Sequence, residues 1–236
     1  MDRLTRKELK TDKFAQEVGH TVEYVGEHRR QVMLYGGIAL AVVVLGAAGY
    51  FYRNHQHQQR EAALREAILI QQAAVGPAPN PMVRAYPTKA EKDQAAEKAF
   101  AEVAARYDGS EEAAYALYML GNLAMDQGRP ADAVKRYQAV LDQGQPIYAS
   151  LAKMTLADIY ANEGKLNQAE PLLRSVIEKP TALVSKEQAT IELARLLAAA
   201  KPDEARKLLE PLRTSERQAV SRTAISELSN VSAPRK

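Results

Sequence analysis

The sequence contains no cysteine among its 236 residues. This absence excludes disulfide bonds, thiolate metal sites and a cysteine nucleophile, and it leaves the redox compartment open. Tryptophan is absent too, and there are only 3 Phe beside 11 Tyr. Ala, Leu and Val therefore supply most of the apolar side chains, a composition that favours closely packed helices over strands.

The C-terminal part of the chain has no net charge. From Lys89 to the last residue there are 21 basic and 21 acidic residues, so the net charge of +3 comes from the part before Lys89. A domain without excess positive charge lacks the surface that proteins use to bind phosphate backbones. We therefore expect no nucleic-acid partner.

Catalytic and cofactor motifs are missing as well. The sequence has no GxxxxGK[ST] loop, no HExxH and no GxSxG. The only pair of histidines with a suggestive spacing is His55 and His57. Positions two apart on a helix point in different directions, so these two do not form a metal site. We predict no catalytic residues, no metal, no cofactor and no enzymatic activity.

One uncharged run stands out, residues 32–52, which read VMLYGGIALAVVVLGAAGYFY. As a helix, 21 residues extend about 31 Å, enough to cross a hydrocarbon core of roughly 30 Å. Tyrosines lie near both of its ends, at Tyr35 and Tyr50, and Arg30 and Arg53 flank it. Interfacial aromatic and basic residues are typical of a transmembrane helix, which we predict here with membrane lipid as its surroundings.

A cleaved signal peptide is the main alternative for this run. Signal peptides have a short basic start and 7–15 apolar residues, whereas here 31 residues precede a run of 21. We therefore predict an uncleaved anchor.

The orientation follows from the N-terminal tail. Basic residues in a short tail resist translocation, and Arg3, Arg6 and Lys7 lie in this one. The expected location is the inner (cell) membrane, with a cytoplasmic N-terminus and a periplasmic or otherwise extracytoplasmic C-terminal domain.

Residues 1–31 form a patterned tail. Thr5 and Glu8 have the spacing of a capping box, and an apolar stripe follows with intervals of four, four and three: Phe14, Val18, Val22 and Val25. This pattern predicts an amphipathic helix. Such a helix can lie on a membrane surface or dock on a protein, and the tail's sequence leaves both open.

A repeat begins after residue 88. Leu120, Gly121, Ala133 and Tyr137 recur 36 residues later, as Leu156, Ala157, Ala169 and Leu173. A third, less regular copy holds Leu193, Ala194, Ala205 and Leu209. Periods of 20–50 residues indicate arrays of stacked units. The small residues are expected where paired helices pass closest.

Local signals mark where these helices begin and end. Gly128 and Gly164 fit a left-handed residue after a first helix, and Pro130 fits the first turn of a second helix. Capping boxes are predicted at three helix starts, which are Thr88 with Glu91, Ser185 with Gln188, and Ser215 with Gln218.

The repeat pattern resembles the tetratricopeptide repeat. The resemblance implies an all-α fold in which an N-terminal transmembrane helix precedes a solenoid of antiparallel helix pairs over residues 89–213. Residues 53–88 would hold the first solenoid helix, Gln58 to Val75, and a Pro-rich loop from Gly76 to Pro87. Residues 214–236 would form a capping helix over 214–229, whose apolar face is Ala219, Ile225 and Leu228, and a frayed tail.

In that family, the first helices of the pairs line a groove that holds peptides or helices. By resemblance, the groove residues here would be Tyr115, Tyr118, Asn122, Met125, Leu151, Met154 and Asp158. Ordinary packing is the alternative role for all of them. Tyr118 stands where a carboxylate-binding subfamily has a lysine, so that specificity is not expected.

The overall layout resembles the ancillary subunits of the bacterial Sec translocon, which associate with the channel and with periplasmic chaperones. The resemblance implies a membrane-anchored protein–protein adaptor of the cell envelope whose partners are translocon components, chaperones or exported chains. Two alternatives stay open: an assembly factor for outer-membrane or cytochrome biogenesis, and a cytoplasm-facing scaffold.

Overall fold

The structure is a computed structural model that describes residues 29–78 and 84–232, apart from the side chains of Val32 and Ser232. The capping box and the apolar stripe predicted for the tail lie outside these residues. The chain divides into two compact units, residues 1–58 and 59–236, and each is described by itself.

The first unit, within the described residues, consists of a single helical segment. Helix α1 is Arg29–Gln71, and its residues up to Gln58 belong to this unit. By length and composition α1 is long and apolar enough to cross a membrane, with a mean hydropathy of 2.2 over its most apolar window. No residue of that window is buried, and Leu45, for example, is 71% exposed.

The second unit is a succession of antiparallel helices. After the end of α1 come α2 Lys89–Arg106, α3 Glu111–Asp126, α4 Pro130–Asp142, α5 Pro146–Asn162, α6 Leu166–Glu178, α7 Lys186–Leu197, α8 Pro202–Leu209, a 3-10 helix Glu210–Thr214 and α9 Gln218–Ser232. Each helix from α2 to α8 packs on the next one along the chain. The predicted all-α class is therefore confirmed for the described residues.

Two of the predicted helix starts have the expected geometry. The Thr88 side chain accepts a hydrogen bond from the backbone N–H of Glu91 at the start of α2. Ser185 accepts one from the N–H of Gln188 at the start of α7. Each bond satisfies one of the backbone donors that a helix leaves free in its first turn.

The third predicted capping box is wrong. Ser215 accepts from the N–H of Arg217 at 3.3 Å, and α9 begins only at Gln218. A cap that sequence reasoning missed starts α3, where Ser110 accepts from the N–H of Ala113 at 3.1 Å. Ser110 has no Glu or Gln three residues later, so it lacks the second half of the capping-box pattern.

The turns inside the first two repeats are built in the same way. Gly128 and Gly164 have φ values of +69° and +73°, which only glycine adopts without strain. The N–H of Arg129 bonds the carbonyl of Ala124 at 2.8 Å, and the N–H of Lys165 likewise bonds the carbonyl of the residue five positions back at 2.8 Å. This bond pattern is a Schellman motif, and the left-handed conformation predicted for the two glycines is confirmed. Pro130 is the first residue of α4, as expected.

A close contact inside a helix pair lies between α3 and α4. A Cβ atom built on Gly121 would lie 2.5 Å from Cε1 of Tyr137, closer than real carbon contacts allow. The aromatic ring therefore rests directly on the α3 backbone. The ring of Tyr137 thus lies over Gly121 of its own repeat.

The end of α1 and the following loop differ from the prediction. The first solenoid helix was expected to reach Val75, but α1 ends at Gln71, and Ala74–Val75 pairs in parallel with Ala85–Tyr86 as a two-residue ladder, β1 and β2. Arg84 forms an ion pair with Glu66 at 2.5 Å beside this ladder. The expected non-helical loop is present in its described parts; residues 79–83 lie outside them.

The capping helix α9 begins four residues later than predicted and buries another face. Ile225 is 49% exposed and Ala219 is exposed, whereas Ala224 is fully buried. Buried apolar side chains form two core clusters, and the second is built around Leu173, Leu193 and Leu209. The α9 side chains in or against this second core cluster are Val220, Ala224, Leu228 and Val231. Their intervals of four, four and three fit one face of a helix, which the predicted set of Ala219, Ile225 and Leu228 does not.

The Gly121 contact gives a first prediction. Gly121→Ala should destabilise the protein by about 1–2 kcal/mol, because overpacking of the ring outweighs the helix propensity gained. The next repeat pairs Ala157 with Leu173 at these positions. In a Tyr137→Leu background the same substitution should therefore be neutral or stabilising, as measured by urea unfolding of the full chain in detergent. An equal loss of unfolding free energy in both backgrounds would show that the Tyr137 ring does not crowd Gly121.

Candidate partner-binding face

The first helices of the repeats, α3 and α5, form a shared surface. They contact each other directly, and two interactions link their side chains. The rings of Tyr115 and Tyr148 meet edge-on with centroids 5.3 Å apart, and the hydroxyls of Tyr118 and Thr155 lie 3.5 Å apart. We call the surface of Tyr115, Tyr118, Asn122, Tyr148, Thr155 and Asp158 the α3–α5 face.

An aromatic group occupies one end of this face. Tyr115 is half-buried between Tyr148 and Phe100, whose ring centroid lies 6.4 Å away in an edge orientation. Burial raises the pKa of both the Tyr115 and Tyr148 hydroxyls, so each is a proton donor at neutral pH. Neither hydroxyl forms a hydrogen bond with another residue that the structure describes. Both therefore offer apolar ring surface together with an available polar tip.

Asn122 has a partner inside its own repeat. The Tyr137 hydroxyl, on a residue only 1% exposed, donates a 2.7 Å hydrogen bond to Oδ1 of Asn122. Burial, followed by the proximity of Tyr118 and Asp126, holds the pKa of Tyr137 far above its usual value, so its proton stays on the oxygen. Asn122 is thus half-buried and used internally, although its place on α3 is the one predicted for the groove.

The remaining predicted groove residues differ in how much they expose. Met125, at the end of α3, is 40% exposed, and Asp158 on α5 is exposed. Leu151 is half-buried. Met154 is only 8% exposed and packs in the second core cluster, so little of its side chain is open to a partner.

Beyond α5 the face becomes charged. Arg195 on α7 donates to Glu192 at 2.6 Å and to Glu227 on α9 at 2.8 Å. Burial raises the pKa of Glu192, and Arg195 opposes that shift in part. Asp158 is exposed overall, but partial burial still raises the pKa of its carboxyl, again with Arg195 acting against the shift. Asp158 itself forms neither a hydrogen bond nor an ion pair with any described residue.

A cleft of about 310 Å³ follows between α7 and α9. Its lining includes Ile191, Glu192, Arg195, Val220 and Thr223. Sequence reasoning proposed no binding residue in this cleft. The spacing of the repeats could have identified Arg195. Asp158 follows Asn122 by 36 residues, and Arg195 follows Asp158 by 37, so the three occupy equivalent positions.

Metal binding has no support within residues 29–78 and 84–232, which contain no group of three His, Asp or Glu side chains able to hold an ion. His55 and His57 both lie exposed on α1. The α3–α5 face combines ring surface with hydroxyls and a carboxylate, and aromatic residues such as tyrosine are enriched in protein interfaces.

Comparison with known proteins identifies the repeats. The family model of the tetratricopeptide repeat matches residues 89–145 and 118–183, which run from the start of α2 to beyond the end of α6. No curated protein matches the chain significantly. The predicted tetratricopeptide repeats are thus confirmed in this region. Repeats of this kind typically bind other proteins, and they are typically not catalytic.

The Tyr137–Asn122 bond gives a second prediction. Asn122→Ala leaves the buried Tyr137 hydroxyl without an acceptor, which should lower the free energy of unfolding by about 1–3 kcal/mol. Combining it with Tyr137→Phe removes both partners, and most of the lost stability should return. Urea unfolding of the two single variants and the double variant measures the coupling. Additive losses would show that the bond has no energetic importance.

Proposed function

We propose that this protein is a membrane-anchored adaptor of the bacterial cell envelope. Residues 32–52 of α1 cross the inner membrane, and the repeats lie on the extracytoplasmic side. There they assist newly exported proteins at the Sec translocon together with periplasmic chaperones. The observation that carries the binding role is the α3–α5 face, placed on helices that match tetratricopeptide repeats.

The membrane anchor is supported by the exposure of α1. Large apolar side chains point outward on all sides of the segment, as a helix surrounded by lipid requires, among them Leu40, Val43, Leu45 and Phe51. Exposing so many apolar side chains to water would be unfavourable. The orientation is supported by the basic residues of the N-terminal tail.

The adaptor role is supported by the chemistry of the face. Tyr115 and Tyr148 are partly ordered by their mutual contact, so binding would cost them little further side-chain entropy. Tyrosines of this kind are common anchors in protein interfaces. The translocon assignment is supported by the layout of one early apolar helix followed by repeats, which resembles the translocon's ancillary subunits.

Site-specific photo-crosslinking in living cells tests the face. Met125 is 40% exposed and follows Asn122 by three positions on α3, so it lies beside the α3–α5 face. A photoreactive residue in its place should capture translocon components, chaperones or exported chains. The matched control replaces Gln138, which is exposed on the second helix α4. Capture of outer-membrane or cytochrome assembly proteins would favour that alternative role. Equal yields at both positions, or none at Met125, would contradict binding at this face.

Protease treatment of intact spheroplasts tests the orientation. With the repeats outside the cytoplasm, added protease should remove epitopes placed after residue 232 without lysis. An epitope placed before residue 3 should be protected until the membrane is dissolved. The reverse pattern would establish the cytoplasm-facing scaffold instead.

A further inference from the structure

One position recurs on the first helix of each repeat and holds a different polar residue every time. It is Asn122 on α3, Asp158 on α5 and Arg195 on α7. Two of the three have hydrogen-bond partners within the protein. Asn122 accepts a hydrogen bond from Tyr137. Arg195 donates hydrogen bonds to Glu192 and Glu227. Asp158 alone has no hydrogen-bonding or ion-pair partner among the described residues.

The surroundings of Asp158 are net acidic. The guanidinium of Arg195 is the nearby positive charge, and it is already bound to Glu192 and Glu227. Three carboxylates therefore share one cation. Burial raises the pKa of Asp158 in spite of Arg195, so the folded protein opposes the ionised form of this carboxyl. An additional cation near Asp158 would relieve that opposition.

An apolar contact surface lies one helical turn from this carboxylate. The Tyr118 hydroxyl lies 3.5 Å from that of Thr155, which precedes Asp158 by three positions on α5. Residues three apart on a helix are neighbours on one face, about 5–6 Å between Cβ atoms. An extended peptide advances about 3.3 Å per residue. An apolar side chain on Tyr118 and a cation at Asp158 would thus be about two to four residues apart.

We infer that the α3–α5 face binds an extended segment of a partner protein that carries an apolar side chain followed, two to four residues later, by Lys or Arg. The apolar side chain packs on Tyr115 and Tyr118, and the cation pairs with Asp158. This inference rests on the proposed adaptor function and adds the chemistry of the bound segment. A segment with an acidic residue at the second position would meet like charges from Asp158 and Glu192.

Three synthetic peptides test the inference on the full chain in detergent micelles. Each is an end-blocked, fluorescein-labelled ten-residue chain of Gly and Ser with one Leu, and Lys, Gln or Glu stands three positions after it. Fluorescence anisotropy at low salt should show that the Lys peptide binds about fivefold more tightly than the Gln peptide, the size of a partly exposed ion pair. The Glu peptide should be weakest. Equal affinities, or no binding by any peptide, would overturn the inference.

Two matched variants locate the effect. Asp158→Asn should abolish the preference for Lys over Gln without weakening binding of the Gln peptide. Asp142→Asn makes the same charge change at an exposed residue at the end of α4 and should leave the preference intact. Loss of the preference in both variants would show non-specific attraction, and its survival in Asp158→Asn would also overturn the inference.

The thermal unfolding midpoint of Asp158→Asn separates recognition from folding. Because the fold opposes ionisation of Asp158, this variant should unfold at the wild-type temperature or above it. A variant that unfolds at a lower temperature would show that Asp158 supports the structure, against the inference. Crosslinking at Met125 remains the separate test of the adaptor role. If the partners captured there bind through segments without Lys or Arg, the inference would be overturned while the adaptor role would stand.

Discussion

The approach of Tyr137 to Gly121 sets the geometry on which the first repeat depends. With the ring on the α3 backbone, the Tyr137 side chain fills the space between the two helices at Gly121. The Tyr137 hydroxyl is then carried to Asn122, where it finds the acceptor that a buried donor needs. The Schellman turn at Gly128 brings α4 back against α3 over this contact. Packing and hydrogen bonding thus fix which side of α3 can face a partner.

The second repeat has apolar packing at the equivalent positions but no counterpart of the Tyr137–Asn122 hydrogen bond. Ala157 and Leu173 replace Gly121 and Tyr137, a change that exchanges the aromatic ring for an aliphatic side chain and leaves no hydroxyl to satisfy. The residue equivalent to Asn122 is therefore released from a structural role. In the second repeat it is Asp158, whose carboxyl the fold does not use. A repeat array can vary such a position freely, because its neighbours maintain the stack.

The sequence predicted what depends on local spacing. The 36-residue period, the glycine turns at Gly128 and Gly164 and the caps at Thr88 and Ser185 each leave a short pattern that needs no knowledge of the fold. The cap at Ser110 was missed because it uses the side chain without the reciprocal acid. The face of α9 was assigned wrongly because it is decided by packing on the second core cluster, to which Ala224 contributes a fully buried methyl group. The internal role of Asn122 also depends on a tertiary contact.

Three polar groups on the α3–α5 face have no hydrogen-bond or ion-pair partner within the described fold, and they are what a binding partner could contact. Tyr115 and Tyr148 stabilise each other through their rings but leave their hydroxyls without partners, and Asp158 leaves its carboxylate unpaired while burial opposes its charge. A partner that supplies the missing contacts would use these three polar groups on two adjacent helices. Apolar burial would then provide affinity, and the cation at Asp158 would provide discrimination.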